Sequence, residues 1–299
     1  MKRMNFIFIA VLATIIFAAC HQDGEMSASD AFKSDNRIRV STDDGVTRAG
    51  YTTSNLTNFG FFVNTPGKPD YTYNNIRMVK GEDGEWNPES DLMMQWCSAT
   101  TPVDIVAYAP YQGNKPYTTS SQVAVSVKAN QSLEENLIAS DFIAMKWKDF
   151  LPWKDERSGK VPVKFKHLMS QVKLRIFYTE EVATEDGGSP ITDLRLTGLI
   201  RLNGICNLSQ SSLTVTATSS ENLDIYPFQT AYDADQRFVA YEAILIPQKV
   251  VILLKMNIVG PYSRDTPPYM LEMSMESGHV YTIDLLLTKD SIERIGKND

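Results

Sequence analysis

Histidine and cysteine are scarce, with three of each in 299 residues. So few cysteines cannot build the disulfide framework on which small secreted domains rely. His21, His167 and His279 lie far apart, and no His-Glu-x-x-His or Cys-x-x-Cys pattern occurs, so the chain carries no local metal signature. A Gly-x-Ser-x-Gly elbow, a phosphate-cradling glycine loop and a dinucleotide fingerprint are also missing. The sequence therefore nominates no catalytic residue, no metal and no cofactor, and the expectation is a non-enzymatic protein. Basic residues are in the minority, 29 against 36 acidic, for a formal charge of −7. Such a surface repels phosphate backbones, which argues against a nucleic-acid partner. After the first nineteen residues no apolar run is long enough to span a bilayer as a helix.

What is present begins with a leader. Lys2 and Arg3 precede an apolar run from Phe6 to Phe17, and Ala18-Ala19 then lead into Cys20. A cationic end, a short apolar stretch and small residues at the cut site are the parts of a secretory signal. The placement of Cys20 resembles a bacterial lipobox, although Phe17 stands where Leu is usual, and it makes Cys20 the candidate lipidation site. Acyl chains, palmitate among them, would anchor the mature protein without spanning the membrane. Removing Lys2 and Arg3 with the leader makes the product two charges more negative. Residues 21–33 are polar and read as a tether.

Beyond the tether the grammar is that of strands. Tyr281, Ile283, Leu285 and Leu287 alternate with polar residues; so do Tyr269, Leu271, Met273 and Met275, and Ile252, Leu254, Met256 and Ile258. Ser277-Gly278 between the last two strands predicts a hairpin turn. Earlier strands are expected at Phe59–Val63, Tyr71–Val79, Val103–Tyr108 and Val123–Val127, with a Gly81–Gly84 turn leading to Trp86. Between Val161 and Tyr178 the apolar parity flips somewhere from His167 to Gln171, as a bulge or a tight bend between two strands would require. Helical signals are weak; Ser132 to Leu137 predicts a turn or two with Ser132 as N-cap. The polar, Gly-rich run Glu180–Pro190 suggests a domain boundary. The expected division is 1–19 signal peptide, 20–36 lipidated tether, 37–182 N-terminal β-sandwich domain and 183–299 C-terminal β-sandwich domain.

A set of short segments in order along the chain resembles the fimbrillin family of Bacteroidales, the pilus subunits and fimbrial accessory lipoproteins. The segments are Ala18-Ala19-Cys20, Thr47-Arg48-Ala49, Phe59-Gly-Phe-Phe-Val63, Val103-Asp-Ile-Val-Ala-Tyr-Ala-Pro110 and Ser140-Asp-Phe-Ile-Ala-Met145. Val163-Lys-Phe-Lys-His-Leu-Met-Ser-Gln-Val172, Ile244-Leu-Ile-Pro-Gln248 and Ser277-Gly-His-Val-Tyr-Thr282 complete it. The resemblance implies an all-β protein of two tandem transthyretin-like β-sandwich domains after a lipoprotein signal peptide. It further implies an outer-membrane precursor, an Arg-specific protease that removes an N-terminal strand, and assembly with other pilin subunits by donor-strand exchange, supporting adhesion to a host or bacterial surface ligand. Carried onto this chain, the processing site is the Arg48-Ala49 bond, with Arg37 and Arg39 also qualifying and Arg37–Ser41 as the strand to be released. The charged segment Lys289–Asp299 is a poor donor. Donation would use the Tyr269 or Tyr281 strand, or the protein would be a tip or accessory subunit that only receives.

Two further features have competing readings. Cys97 and Cys206 are either bridged or, better suited to strand interiors, two separate buried thiols. All four tryptophans lie in the expected N-terminal domain, and Trp147 and Trp153 stand close together. They either pack the core or form a face for stacking on sugar rings. The second reading makes the alternative function an outer-membrane glycan-binding lipoprotein, and a secreted hydrolase is the third. His167 is expected to be a hydrogen-bonded strand residue rather than a base, and His279 a turn residue.

Overall fold

The computed structural model describes residues 35–42, 50–52, 54–113, 115–219, 223–261 and 264–296. The first ten strands are β1 (Val40–Thr42), β2 (Asn58–Asn64), β3 (Tyr73–Lys80), β4 (Trp86–Pro88), β5 (Val103–Ala109), β6 (Gln122–Ser126), β7 (Ile143–Phe150), β8 (Val161–Val163), β9 (Lys166–His167) and β10 (Ser170–Tyr178). The remaining ten are β11 (Ile191–Gly198), β12 (Asn203–Asn207), β13 (Val215–Ser219), β14 (Phe228–Asp233), β15 (Phe238–Leu245), β16 (Lys249–Ile258), β17 (Arg264–Asp265), β18 (Tyr269–Ser274), β19 (Val280–Leu287) and β20 (Ile292–Arg294). Two short helices, α1 (Glu134–Ala139) and α2 (Pro152–Asp155), interrupt them. The all-β expectation is met.

The strands gather around two cores. The first sheet runs β8-β1-β4-β3-β2-β5-β7-β9, and its two outer strands are sequence neighbours joined by Lys164-Phe165. A sheet whose ends are consecutive in the chain must curl around its own inner face. That face buries Phe59, Phe61, Val63, Trp86, Ile105, Phe150, Val161, Val163 and Phe165. The second core lies among a five-stranded sheet β14-β15-β10-β19-β20, a four-stranded sheet of β11, β16, β17 and β18, and a three-stranded sheet β13-β12-β6.

β2 and β5 are buried on both faces. Phe59, Phe61, Ile105 and Ala107 fill the first core, while Phe62, Val106 and Tyr108 on the opposite face join the second. This explains why Phe59–Val63 is continuously apolar rather than alternating. Gly60 fits the same arrangement, because a Cβ there would sit 2.6 Å from a Tyr108 ring carbon. The Tyr108 hydroxyl is meanwhile held by Asn75 Oδ1 at 2.9 Å, so the ring cannot swing aside without losing that bond. Gly60→Ala should therefore cost about 1–3 kcal/mol as an overpacking change. A urea midpoint equal to that of the unmodified protein would contradict this packing.

Several local expectations are corrected. Ser277-Gly278 does form a turn, with Gly278 at φ +77°. It does not close a hairpin: β18 pairs with β16, whereas β19 pairs in parallel with β10. The turn carries the chain from one sheet to another, which alternation alone cannot distinguish from a hairpin. Leu133 rather than Ser132 stands at the N-cap position of α1, with no side-chain cap, and the Ser132 hydroxyl bonds Asn130 Oδ1 instead. Residues Pro69–Tyr71 make a 3-10 turn, so β3 starts at Tyr73.

Sheet membership changes between His167 and Ser170, where the parity flips: β9 closes the first sheet, and β10 is the central strand of the five-stranded one. β6 also pairs outside its own half, residue for residue with β12. The polar run after Tyr178 is thus followed by strands of the sheet system that β10 already belongs to. Val182 within it is buried in the second core. Composition marks a loop there; hydrogen bonding places the change of sheet at Leu168-Met169.

Candidate functional site

The N-terminal strand occupies an interior place in the first sheet. Val40 pairs antiparallel with Trp86 on β4, and Val40, Ser41 and Thr42 pair in parallel with Val161, Pro162 and Val163 on β8. The Val161 N–H donates to the Arg39 carbonyl at 2.8 Å, and Trp86 Nε1 donates to the Thr42 hydroxyl at 3.1 Å. Upstream, the Ile38 N–H donates to the Met94 carbonyl and the Trp96 N–H to the Asn36 carbonyl. Ile38 and Val40 are 5% and 1% exposed, inserted among the apolar residues of the first core.

This strand is short, yet two others depend on it. Withdrawing it would leave β4 and β8 with unpaired edges and would open a socket walled by Met94, Trp86, Trp96, Val161 and Val163. An extended segment with apolar residues two apart would satisfy both the backbone groups and the pockets.

Behind the strand, the chain is fastened again at Gly50 and Tyr51. Asp141 lies just after α1 with a fully buried carboxylate. Its Oδ2 accepts the Tyr51 N–H at 3.0 Å and contacts His167 Nδ1 at 2.6 Å, while Oδ1 accepts the Phe142 N–H at 3.0 Å. Gly50 has φ +107°, and any Cβ there would overlap the Asp141 carboxylate. Glycine is required at that position on both counts. The Gly50 carbonyl accepts from Asn55 Nδ2 at 2.9 Å. Burial, and then the Asp141 charge, push the Tyr51 phenol up to about 12. Residues 50–51 are therefore pinned to the body independently of β1. His167 is a bonded strand residue as expected, through a partner 26 residues away.

Cys20, Arg48 and Ala49 lie outside the described residues. Arg37 and Arg39 lie within them and are engaged. Arg37 forms a bridge with Gln95. Arg39 pairs with Asp35, a bond that raises its pKa, and the nearby Glu156 acts in the same direction. Trp86 and Trp96 are core residues, the latter donating Nε1 to the buried Glu156 at 2.9 Å. Trp147 is half-buried and packs edge-on against Phe150 at 5.0 Å between centroids. Trp153 is half exposed on α2. Cys97 and Cys206 are unbonded. Cys206 is buried, which pushes its thiol up to about 12, but Cys97 is only half-buried, because it lies in the loop after Trp96 rather than inside a strand. Among the described residues no group of three His, Cys, Asp or Glu is placed to hold a metal, and no helix is long and apolar enough to cross a membrane.

Asp141, Gly50 and the outward lysines Lys164 and Lys166 were not singled out by sequence reasoning. Only Lys164 and Lys166 left a usable trace, in their alternation with the inward Val163 and Phe165.

The body is β-rich, with an N-terminal strand seated inside a sheet. Residues 39–298 match the fimbrillin-like family, and the chain belongs to that family. Among solved structures, it is similar to a candidate cell adhesion protein from Bacteroides uniformis ATCC 8492. The identity is 15%, the match covers 88% of this chain and 96% of that one, and the TM-score is 0.59. A candidate cell adhesion protein from Bacteroides ovatus ATCC 8483 shares 18% identity over 87% and 95% of the two chains, with a TM-score of 0.59. At these identities the likeness shows a common fold. No curated protein matches the sequence.

Proposed function

We propose that this chain is a structural subunit of a cell-surface fimbria, exported as a lipoprotein precursor acylated at Cys20. An Arg-specific protease cuts it after Arg48, β1 departs with the released segment, and a strand from another pilin subunit takes its place. The single observation that carries this reading is the seating of β1 between β4 and β8, where its loss creates two free edges and an apolar socket. Membership of the fimbrillin-like family supports it.

Two further observations favour Arg48 over Arg37 and Arg39. The latter two sit in backbone already paired with neighbouring strands, which a protease cannot draw into its cleft without unmaking the sheet. Cleavage after Arg48 would also leave Gly50-Tyr51 held by Asp141, so the body keeps its shape as the strand leaves.

The subunit receives rather than donates. β18 and β19 supply Leu271, Met273, Ile283, Leu285 and Leu287 to the second core, and lending either strand would dismantle it. β20 is a three-residue edge strand, too short to fill a neighbour's socket. This points to a tip or accessory position. Arg48→Ala should leave a full-length precursor in the membrane fraction and abolish incorporation into fimbriae, as read by immunoblotting of sheared surface fibres. Normal incorporation of the variant would refute processing at this bond.

A further inference from the structure

Among the described residues, the most exposed large apolar side chains are Leu199, at 69%, and Met270, at 66%, and the two stand on either side of β16. Ile252, Leu254 and Met256 of that strand point into the second core, so alternation turns Lys249, Val251, Leu253 and Lys255 the other way. On β18, Met270 lies opposite Leu253, Glu272 opposite Val251 and Ser274 opposite Lys249. On β11, Arg195 lies opposite Lys255 and Thr197 opposite Leu253, and Leu199 follows just past the strand end. Val251 is itself 45% exposed. Leu199, Val251, Leu253 and Met270 therefore make an apolar centre on the side of the sheet that faces away from the core. A contiguous patch of this kind marks an interaction surface.

Charge is arranged unevenly around that centre. At one end of the sheet stand Lys249 and Arg201, the latter fixed by backbone bonds of 2.9 and 3.0 Å to the Gln248 side chain. At the other end the exposed Asp265 of β17 lies opposite Asn257, while Asp193 and Asp224 are taken up by Arg195. Glu272 sits on the basic side of the centre and Lys255 on the acidic side. Among the described residues neither of these two forms an ion pair within the chain. A shallow depression between β16 and β18, bordered by Lys249, Val251, Glu272 and Ser274, lies beside the Glu272 carboxylate.

From this pattern we infer that the face binds the same face of a second copy of the chain, the two sheets stacked with their β16 strands antiparallel. A two-fold contact must be self-complementary. Stacking with the β16 strands parallel would set Lys249 against the partner's Lys249 and Lys255 against the partner's Lys255, a juxtaposition of like charges. Antiparallel stacking about Leu253 removes that conflict. It brings the partner's Lys255 over the depression beside Glu272, and the partner's Asp265 towards the end that carries Lys249 and Arg201. Each of these contacts occurs twice. Leu253 and Met270 meet their own counterparts at the centre, and the aliphatic stem of the partner's Lys255 covers Val251. A face three strands wide is small beside obligate dimer interfaces, so the expected affinity is micromolar. The inference does not depend on the fimbrial reading, since β1 and its neighbours β4 and β8 belong to the other sheet.

Sedimentation equilibrium on the chain from His21 onward, left uncut, tests this pairing. A reversible monomer–dimer equilibrium is expected at about 10–100 μM protein. Met270→Glu should weaken dimerisation at least about tenfold, because it sets two carboxylates together at the centre of the contact. Glu272→Lys and Lys255→Glu should each weaken it several-fold, and combining them should bring it back to within about threefold of the parent. Should Met270→Glu misfold, the charge-reversal series, made at exposed positions, decides alone. A protein that stays monomeric at about 100 μM would overturn the proposal. A dimer indifferent to Met270→Glu, or one whose charge reversals have no effect or are not rescued in combination, would overturn it as well. Strand exchange cannot imitate the expected result, because the uncut chain keeps β1 in place, so failure here leaves the assembly reading untouched and failure of assembly leaves this contact standing.

Discussion

Asp141→Ala should be among the most damaging single substitutions in the first half of the chain, lowering stability by roughly 3 kcal/mol or more. The carboxylate is fully buried and satisfies three groups at once: the Tyr51 N–H, the Phe142 N–H and the His167 ring. Alanine would leave all of them buried without an acceptor, and each orphaned donor costs about 1–3 kcal/mol. It would also free Gly50-Tyr51 from the body. Asp141→Asn keeps acceptor capacity and should fall between alanine and the parent. Urea denaturation followed by tryptophan fluorescence reads the difference, and limited proteolysis between residues 42 and 56 should become faster in the alanine variant. An alanine variant within about 0.5 kcal/mol of the parent, the range of an ordinary surface change, would show that the clamp is not structural.

The strands were largely legible, and their partners largely were not. Ile252 to Ile258, Tyr269 to Met275 and Tyr281 to Leu287 alternate because each strand presents one face to a single core, and the buried residues match the pattern. Phe59–Val63 and Val103–Ala109 do not alternate because two cores claim their two faces. The parity flip near His167 was visible as a discontinuity. Its cause, a change from one sheet to another, depends on pairings with residues around 143 and 240 that local sequence does not encode. The same limit produced the supposed hairpin at Ser277-Gly278, since a tight turn between two alternating strands looks alike whether they pair with each other or with others.

Site residues followed the same logic. Trp147 and Trp153 are close in sequence, but the first lies on β7 and the second on α2, the one half-buried against Phe150 and the other half exposed. Lys146 and Lys166 are twenty positions apart and come close because β9 pairs antiparallel with β7, setting Lys166 opposite Ala144. Asp141 and His167 belong to segments that the resemblance highlighted, yet nothing in either segment announces that one grips the other and, through it, the chain at Gly50.

Removal of the N-terminal strand should have the largest effect of all, because it changes what the surface is rather than how stable it is. Ile38 and Val40 are each worth about 1.5–3 kcal/mol of apolar burial, and their departure would expose the side chains they cover. β4 and β8 would become adjacent open edges, a template for any extended chain of suitable pattern. The body should stay folded, since the second core and the Asp141 clamp do not draw on β1. The direct measurement is fluorescence anisotropy of a labelled peptide with the sequence of residues 35–42, added to protein cut after Arg48 and freed of its N-terminal fragment. Saturable one-to-one binding to the cut protein, with none to the uncut chain, is the predicted result. A cut protein that remains folded yet ignores the peptide, or an uncut chain that binds it equally well, would contradict the account.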